Sequence, residues 1–402
     1  MQSSPLSMLH SGFHLADPEV RRSPYPHYRW LRQQHKIPNL QGFGWLVSRY
    51  DDASFVLGHP DLFSSSVMAK ADFALLGNDP PEHTRIRGIV NAALTPELLQ
   101  RLETRIRSTA DRIVARAANS REWNLVDDLA IPLPVGTIAD LLGIAPDRWP
   151  VLRRWSDAIV RRQNGSAPQG FQSADGGDLS ECDSFVRDMI EQRSKRNGDD
   201  LISELLHGVT AEKSLLPSEV LSLSKLLLVA GSETTTHLIG NAVLALLRSP
   251  DELARVKSDP SLIPSAIEET LRYDAPVQFV VRRTTQQLTL SETKLPAGAR
   301  VLVLLGSANR DESRFSDPDH FNVMREHCRH LAFGAGIHYC LGGTLARLEA
   351  EIAIASFLSI NSTLIFADDL NDVALVDSIQ LRGPKSLRFT RTRPLNLTET
   401  GA

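Results

Sequence analysis

The chain has 402 residues, of which 42% are hydrophobic and 23% are charged, and this balance excludes wholesale disorder, a collagen-like repeat and an integral membrane protein. A formal net charge of -4 argues against nucleic acid or an anionic membrane surface as a partner. The three cysteines do not describe a disulfide framework, and the start of the chain lacks the basic and apolar regions of a signal peptide. We therefore expect a cytoplasmic protein.

The secondary-structure signals change along the chain. Short apolar runs separated by turns predict a β-rich part over residues 1–75. From about residue 80 to residue 402, apolar residues recur at three- and four-residue intervals and predict a helix-rich part. A stretch rich in Gly, Ser and Gln at residues 163–180 predicts a mobile loop.

The longest helical pattern runs from Pro217 to Ser249, which corresponds to about 50 Å at 1.5 Å per residue. Both of its halves are aliphatic nearly all round, so the helix should be buried. Shorter helical patterns and a few period-two runs complete the chain, and strands do not alternate regularly with helices. The sequence therefore predicts a mainly α fold with small β-sheets, in which residues 1–402 form one large domain around a long central helix.

The strongest chemical signal is a loop in which three glycines surround Cys340, just before a helix. Glycine lets the backbone pass close to a flat ligand, and a helix N-terminus stabilises a thiolate, so the loop suits a thiolate metal ligand. A zinc site is an alternative, because Cys328, His330, His338 and Cys340 offer two thiolates and two imidazoles. A haem iron with one axial thiolate also gives a role to the glycines, the nearby Phe333 and the long aliphatic helices.

Two further patterns need an explanation. Five consecutive polar residues, Ser232 to Thr236, interrupt the long aliphatic helix directly after Gly231, and burying a carboxylate there is costly without a partner. An interhelix hydrogen-bond network is one reading of this stretch. Glu269 and Arg272 are three residues apart and share one helix face, which by itself is typical of solvated surface pairs.

Taken together, these motifs resemble the cytochrome P450 family of the soluble bacterial type. The pattern Phe333-x-x-Gly336-x-x-x-Cys340-x-Gly342 matches the family's haem-binding loop at every fixed position, and the resemblance covers essentially the whole chain. It implies haem b as the cofactor and Cys340 as the metal ligand. The other cofactor-binding residues that it implies are His83, Arg87, Ala230, Gly231, Arg282, Phe333, His338 and Gly342.

The same resemblance assigns roles to the polar residues. Glu233 is expected to supply protons for oxygen activation, and Thr234 is expected to hold a hydrogen bond at the oxygen-binding face. Glu269, Arg272 and Arg325 are expected to form a structural ion-pair network. The resemblance places the substrate against mostly apolar walls: Leu75, Leu76, Val229, Phe279, Val280, Ile379 and Gln380.

The expected activity is insertion of one oxygen atom from O2 into a hydrophobic small molecule, typically a tailoring step in secondary-metabolite biosynthesis. The short segment at residues 67–78 suggests an open pocket, which would suit a substrate tethered to a carrier protein. No residues remain for a fused reductase, so a ferredoxin and a ferredoxin reductase would deliver electrons to a monomeric enzyme. A haem sensor or carrier without enzymatic activity is the alternative on the same scaffold.

Overall fold

The computed structural model describes residue 15 and residues 17–67, 74–118, 120–164, 176–208, 214–326, 328–361 and 364–391. Helices dominate these residues, with small sheets between them, so the predicted fold class is confirmed. The chain divides into two compact units, each assembled from segments that are distant in sequence. The first unit comprises Met1–Asn91, Glu268–Gly343 and Asp377–Arg382, and the second comprises Ala92–Ile267, Thr344–Val376 and Gly383–Ala402.

The beginning of the first unit mixes short helices with shorter strands. Its elements are α1 Pro18–Arg22, α2 Tyr25–Arg32, β1 Asn39–Leu40, β2 Gly44–Val47, α3 Tyr50–Gly58, β3 Phe63–Ser64 and α4 Glu82–Ala93. The prediction of a β-rich beginning is wrong, because the described helices there contain more residues than the strands. The strands are only two to four residues long, and although β1 pairs with the adjacent β2, the other partners of β2 and β3 lie in distant segments, so a local pattern overstated them.

A five-stranded sheet organises the first unit, in the order β1-β2-β8-β5-β3, where β5 is Val280–Thr284 and β8 is Arg300–Val303. Strand β2 lies parallel to β8, and the other neighbours are antiparallel. Because side chains alternate along a strand, Val301 and Val303 join one buried cluster while Leu302 joins another. The later elements are α12 Ile263–Tyr273, of which the residues from Glu268 onward belong to this unit, β5 Val280–Thr284, β6 Leu288–Leu290, β7 Thr293–Leu295, β8 Arg300–Val303 and α13 Leu305–Ala308.

The last segment of the first unit is short but firmly attached. Arg382 donates to the Asp274 carboxylate at 2.6 Å and to the carbonyl oxygen of Arg21 at 2.8 Å. Leu381 forms a β-bridge with Val277. Three separate stretches of the chain therefore meet in this unit.

The second unit is helical with a three-stranded sheet in the order β4-β10-β9. Its elements are α5 Pro96–Ala118, β4 Glu122–Asn124, the π-helix Val126–Ala130, α6 Pro132–Leu142, α7 Trp149–Asn164, α8 Gly176–Lys195, α9 Leu201–His207, α10 Pro217–Arg248, α11 Pro250–Ser258, α14 Gly343–Asn361, β9 Leu364–Phe366 and β10 Arg388–Arg391. Helix α14 begins at the last residue of the first unit. None of the helices in the described ranges combines the length and the apolar character that crossing a membrane requires.

Helix α10 lies at the centre of the second unit and packs against α6, α7, α8 and α9. It begins at Pro217 as predicted, because proline lacks only an amide hydrogen that the first turn does not use. A Cβ atom at Gly231 would lie 2.3 Å from Cδ1 of Ile138 on α6. Glycine at this position therefore allows the two helices to approach.

Two predicted loops are only partly within the described residues. The predicted bounds of the loop at 163–180 are wrong at both ends, because residues 163 and 164 end α7 and residues 176–180 open α8; residues 165–175 lie outside the described ranges. The glycines at the start of α8 misled the prediction, since a helix tolerates glycine in its first turn. Of the segment at 67–78, residues 68–73 are likewise outside the described ranges.

Candidate functional site

The loop that carries Cys340 owes its shape to glycine. Gly334 and Gly336 have φ angles of 72° and 68°, which side-chain-bearing residues rarely adopt. The amide of Cys340 donates to the carbonyl oxygen of Phe333 at 2.9 Å and closes the loop. A Cβ atom at Gly336 would lie 2.4 Å from the carbonyl oxygen of Leu57, at the end of α3. The loop and α3 therefore meet backbone to backbone.

This contact makes a prediction about Gly336. Gly336→Ala should lower the free energy of unfolding by about 2–4 kcal/mol, because it combines a strained φ angle with an overlap against backbone that cannot move aside cheaply. Gly298→Ala is the matched control, since Gly298 also has a positive φ of 75° but none of the described atoms lies within 4 Å of its added Cβ. Denaturant unfolding of both variants checks the difference, and equal midpoints would contradict it.

Four basic side chains of the first unit gather near Cys340. The rings of His83 and His338 lie 4.3 Å apart, and the electrostatic influence of Arg282 reaches His338 while that of Cys340 reaches Arg87. His83 is 2% exposed, and neither of its ring nitrogens has a hydrogen-bond partner within the described part of the chain. Nε2 of His338 also lacks one there. Both ring nitrogens of His83 and Nε2 of His338 are therefore buried polar atoms without a hydrogen-bond partner among the described residues.

The cluster is strongly desolvated. Burial, followed by repulsion from Arg282, lowers the pKa of His338 to about 3. Burial lowers the pKa of Arg282 to about 10, and Asp79 opposes that shift. Burying the Arg282 guanidinium is costly unless an anion compensates its charge, and a guanidinium binds a carboxylate through two parallel hydrogen bonds. A ligand with two carboxylates, such as haem, fits these residues.

Sequence reasoning missed Asp79, the acidic neighbour of this cluster. Its carboxylate accepts hydrogen bonds from the Ser64 hydroxyl and from the Ser65 amide, the latter at 2.8 Å. It also acts electrostatically on His83, Arg282 and His338. The Pro and Glu residues around Asp79 marked the segment in the sequence, but nothing there indicated that the carboxylate would face the basic cluster.

The three residues of the expected ion-pair network lie together in the first unit. The Arg272 guanidinium donates to both oxygens of Glu269 at 2.8 Å, and Nε of Arg325 lies 3.0–3.1 Å from the same oxygens. Arg272 and Glu269 are almost completely buried. Their remaining hydrogen bonds join the irregular chain after α13: Arg272 donates to the carbonyl oxygens of Asn309, Pro318 and His320, and Glu269 accepts from the Asn322 amide.

In the second unit, the expected acid and alcohol lie on an accessible stripe in the middle of α10. Ala230 is exposed and Gly231, Glu233 and Thr234 are half-buried, whereas the helix is mostly buried on either side. The Thr234 hydroxyl donates to the carbonyl oxygen of Ala230 at 2.7 Å. Ser156 on α7, which sequence reasoning missed, donates to Oε1 of Glu233 at 3.2 Å.

The expected substrate residues do not form a single described wall. Val229 is a half-buried residue of α10 in the second unit, and the other six belong to the first unit. Phe279 is buried in a core cluster against which Ile379 packs, so the expectation that Phe279 lines a pocket is corrected: its side chain contributes to the core. Leu75 is buried, whereas Leu76 is 39% exposed.

The other two members of the expected wall flank Phe279. Val280 is partly buried and packs against the other core cluster, the one that contains Val301 and Val303. The Gln380 side chain donates to the carbonyl oxygen of Phe279 at 3.1 Å, and its backbone carbonyl accepts from the Gln278 amide at 2.8 Å. Gln380 therefore fixes the turn beside β5.

The alternative zinc site is not formed. The Cys328 thiol donates to the carbonyl oxygen of Glu268 at 3.5 Å, and burial raises its pKa to about 12, so it is not a thiolate. Nε2 of His330 lies 3.3 Å from the Glu268 carboxylate. Among the residues that the structure describes, no three or more His, Cys, Asp or Glu side chains are grouped to hold a metal ion.

Comparisons with known proteins agree with one another. The family model described as cytochrome P450 matches residues 179–363. The cytochrome P450 monooxygenase PikC of Streptomyces venezuelae is 37% identical, with 92% of each chain covered. The polyketide biosynthesis cytochrome P450 PksS of Bacillus subtilis is 31% identical, with 93% of this chain and 97% of that protein covered.

A solved structure extends this agreement to the fold. P450BioI, in complex with an acyl carrier protein ligated to hexadec-9Z-enoic acid, superposes with a TM-score of 0.84 at 29% identity, covering 93% of this chain and all of the other. Members of this family bind haem b, and the buried basic cluster near Cys340 accords with that cofactor. The chain belongs to the cytochrome P450 family and is a P450 monooxygenase.

Proposed function

We propose that Cys340 would bind the iron of haem b through its thiolate and that the enzyme inserts one oxygen atom from O2 into a hydrophobic small molecule. The observation that carries this proposal is the buried basic cluster beside the glycine-shaped Cys loop. Both ring nitrogens of His83 and Nε2 of His338 lack hydrogen-bond partners among the described residues, and Arg282 donates to the carbonyl oxygen of its neighbour Val281 at 2.8 Å. When bound, haem with a thiolate ligand supplies the activation of O2.

The chain's own residues would then bind, orient and supply protons. His83, Arg87, Arg282 and His338 would bind the two carboxylates of the cofactor. Phe333, whose ring lies 6.2 Å from that of Tyr339, would cover the thiolate. Gly342 has no side chain and would leave room for the cofactor next to Cys340. Ala230 and Gly231 would leave room for dioxygen and substrate beside α10.

The proton-supplying residues are Glu233 and Thr234. Thr234 donates its hydroxyl hydrogen to the Ala230 carbonyl, so its oxygen atom can accept a hydrogen bond from a proton donor. Glu233 can hold and release a proton at its carboxylate, and its half-buried position gives it access to solvent. These two residues would therefore pass protons to the reacting oxygen.

The substrate class that we propose is a secondary-metabolite precursor, carried on an acyl carrier protein or free. Two relatives support it: the name of PksS refers to polyketide biosynthesis, and P450BioI was solved with a carrier protein that holds a fatty acyl chain. Electrons would come from a ferredoxin and its reductase, as in bacterial relatives. The enzyme would work as a monomer in the cytoplasm.

One experiment tests both parts of this proposal. The haem-loaded protein is supplied with ferredoxin, reductase and isotopically heavy dioxygen, and with hexadecenoic acid either free or linked to an acyl carrier protein. One heavy oxygen atom in the product supports oxygen insertion, and a higher kcat/KM for the linked acid supports tethering. Haem binding without any oxidised product from these or other hydrophobic substrates would favour the haem sensor or carrier.

A further inference from the structure

Helix α7 places one hydroxyl group against the acid of the proton-supplying pair. Ser156 is 3% exposed, and its Oγ donates to Oε1 of Glu233 on α10 at 3.2 Å. The two residues are 77 positions apart and belong to the same unit. A hydrogen bond to a charged acceptor is stronger than one between neutral groups, so this contact can orient the carboxylate.

The hydroxyl groups adjacent to Glu233 in the sequence point elsewhere. Ser232, Thr234 and Thr235 each donate to the carbonyl oxygen four residues earlier in the same helix. Thr236 donates to the carbonyl oxygen of Ala130 at 2.9 Å. These hydrogens are donated to backbone carbonyls, whereas the hydrogen of Ser156 is donated to a side-chain carboxylate.

The position of Ser156 is itself fixed by its neighbours in α7. Trp155 is buried, its Nε1 donates to Glu181 on α8 at 3.3 Å, and its ring lies 5.2 Å from that of Phe185. Arg154 donates to Asp178 at 2.7 Å. Two side chains that precede Ser156 therefore attach this turn of α7 to α8, which limits how far the hydroxyl can move.

We propose that Ser156 is a positioning residue for proton delivery: its hydrogen bond holds the Glu233 carboxylate where it can pass protons toward Thr234. The inference rests on the proposed role of Glu233. In the coupled reaction, O2, two electrons from reduced ferredoxin and two protons convert a C–H bond to C–OH and release water. When the second proton is not delivered correctly, the same two electrons and two protons leave as hydrogen peroxide, and the substrate is unchanged.

The test compares Ser156→Ala and Ser156→Thr with the wild-type holoenzyme. Loss of one hydrogen bond to a charged group predicts that Ser156→Ala lowers kcat about tenfold with KM unchanged, while the share of electrons recovered as peroxide rises. Ser156→Thr keeps the hydroxyl and should restore coupling. Ser224→Ala is the control, because Ser224 is equally buried in α10 but donates to the Val220 carbonyl at 2.7 Å.

A second readout does not depend on turnover. Infrared difference spectra between the wild type and Glu233→Gln identify the carboxylate band of Glu233, and Ser156→Ala should shift that band while Ser224→Ala should not. An unshifted band together with wild-type coupling in Ser156→Ala would overturn the proposal. If Glu233→Gln itself leaves the peroxide share unchanged, the role proposed for Glu233 fails. If only Glu233→Gln raises it, the role of Ser156 alone fails.

Discussion

Replacing Cys340 with serine is expected to abolish the strongly red-shifted absorption band that a thiolate-ligated haem gives when reduced under carbon monoxide. The thiolate is the form of cysteine that binds a metal, and the Arg87 guanidinium interacts electrostatically with Cys340, whereas a serine hydroxyl does not ionise under these conditions. The variant would therefore lose the anionic ligand and its monooxygenase activity together. Absorption spectra of the oxidised and the reduced, carbon monoxide-bound protein measure this loss.

Cys328 is the matched control for this change. It lies only twelve positions away, but its thiol donates to the Glu268 carbonyl and is held protonated by burial. Cys328→Ser should keep the red-shifted band and the full haem content. If the red-shifted band survives in Cys340→Ser but disappears in Cys328→Ser, then Cys328 and not Cys340 is the thiolate ligand.

The largest expected effect on stability follows from Glu269. Changing Glu269 to glutamine should lower the free energy of unfolding by about 3–5 kcal/mol, because it leaves the guanidinium groups of Arg272 and Arg325 buried without a carboxylate. This is a large part of the 5–15 kcal/mol or so that holds an ordinary protein folded. Denaturant unfolding, followed by tryptophan fluorescence, measures it.

An exposed ion pair on α5 provides the control for the loss of stability expected in Glu269→Gln. Glu103 accepts from Arg107 at 2.8 Å, four residues along the helix, and both side chains reach solvent. Glu103→Gln should cost less than about 1 kcal/mol, since water screens and replaces such a contact. Similar midpoints for the two glutamine variants would mean that the buried network does not hold the irregular chain in place.

The features that the sequence predicted best depend on local rules. Proline at the first turn and the Ser-Pro step after the last turn set the ends of α10 to within a residue. Glu269 and Arg272 share a helix face at any three-residue spacing, so their pairing could be predicted without knowing the fold. The glycines around Cys340 likewise predict positive φ angles from residue type alone, as Gly334 and Gly336 show.

The features that escaped prediction depend on which distant segments meet. Nothing in the sequence near Ser156 indicates that it faces Glu233, because that contact depends on how α7 crosses α10. Phe279 was assigned to a pocket, yet its side chain lies in a buried core cluster with Leu302 and Leu304. Burial and cross-helix contacts decide such cases, and both come from tertiary packing.

The three-segment construction of the first unit constrains how the protein can be made. Residues up to Asn91 cannot complete this unit until Asp377–Arg382 has been synthesised, since Arg382 binds both Asp274 and the Arg21 carbonyl. At about 5–20 residues per second, the roughly 290 intervening residues take about 15–60 s to translate. The sheet partners of β2 and β3 are β8 and β5, so the apolar side chains of the amino-terminal segment stay uncovered at least until those two strands leave the ribosome, and it is there that chaperones have the most reason to bind this chain.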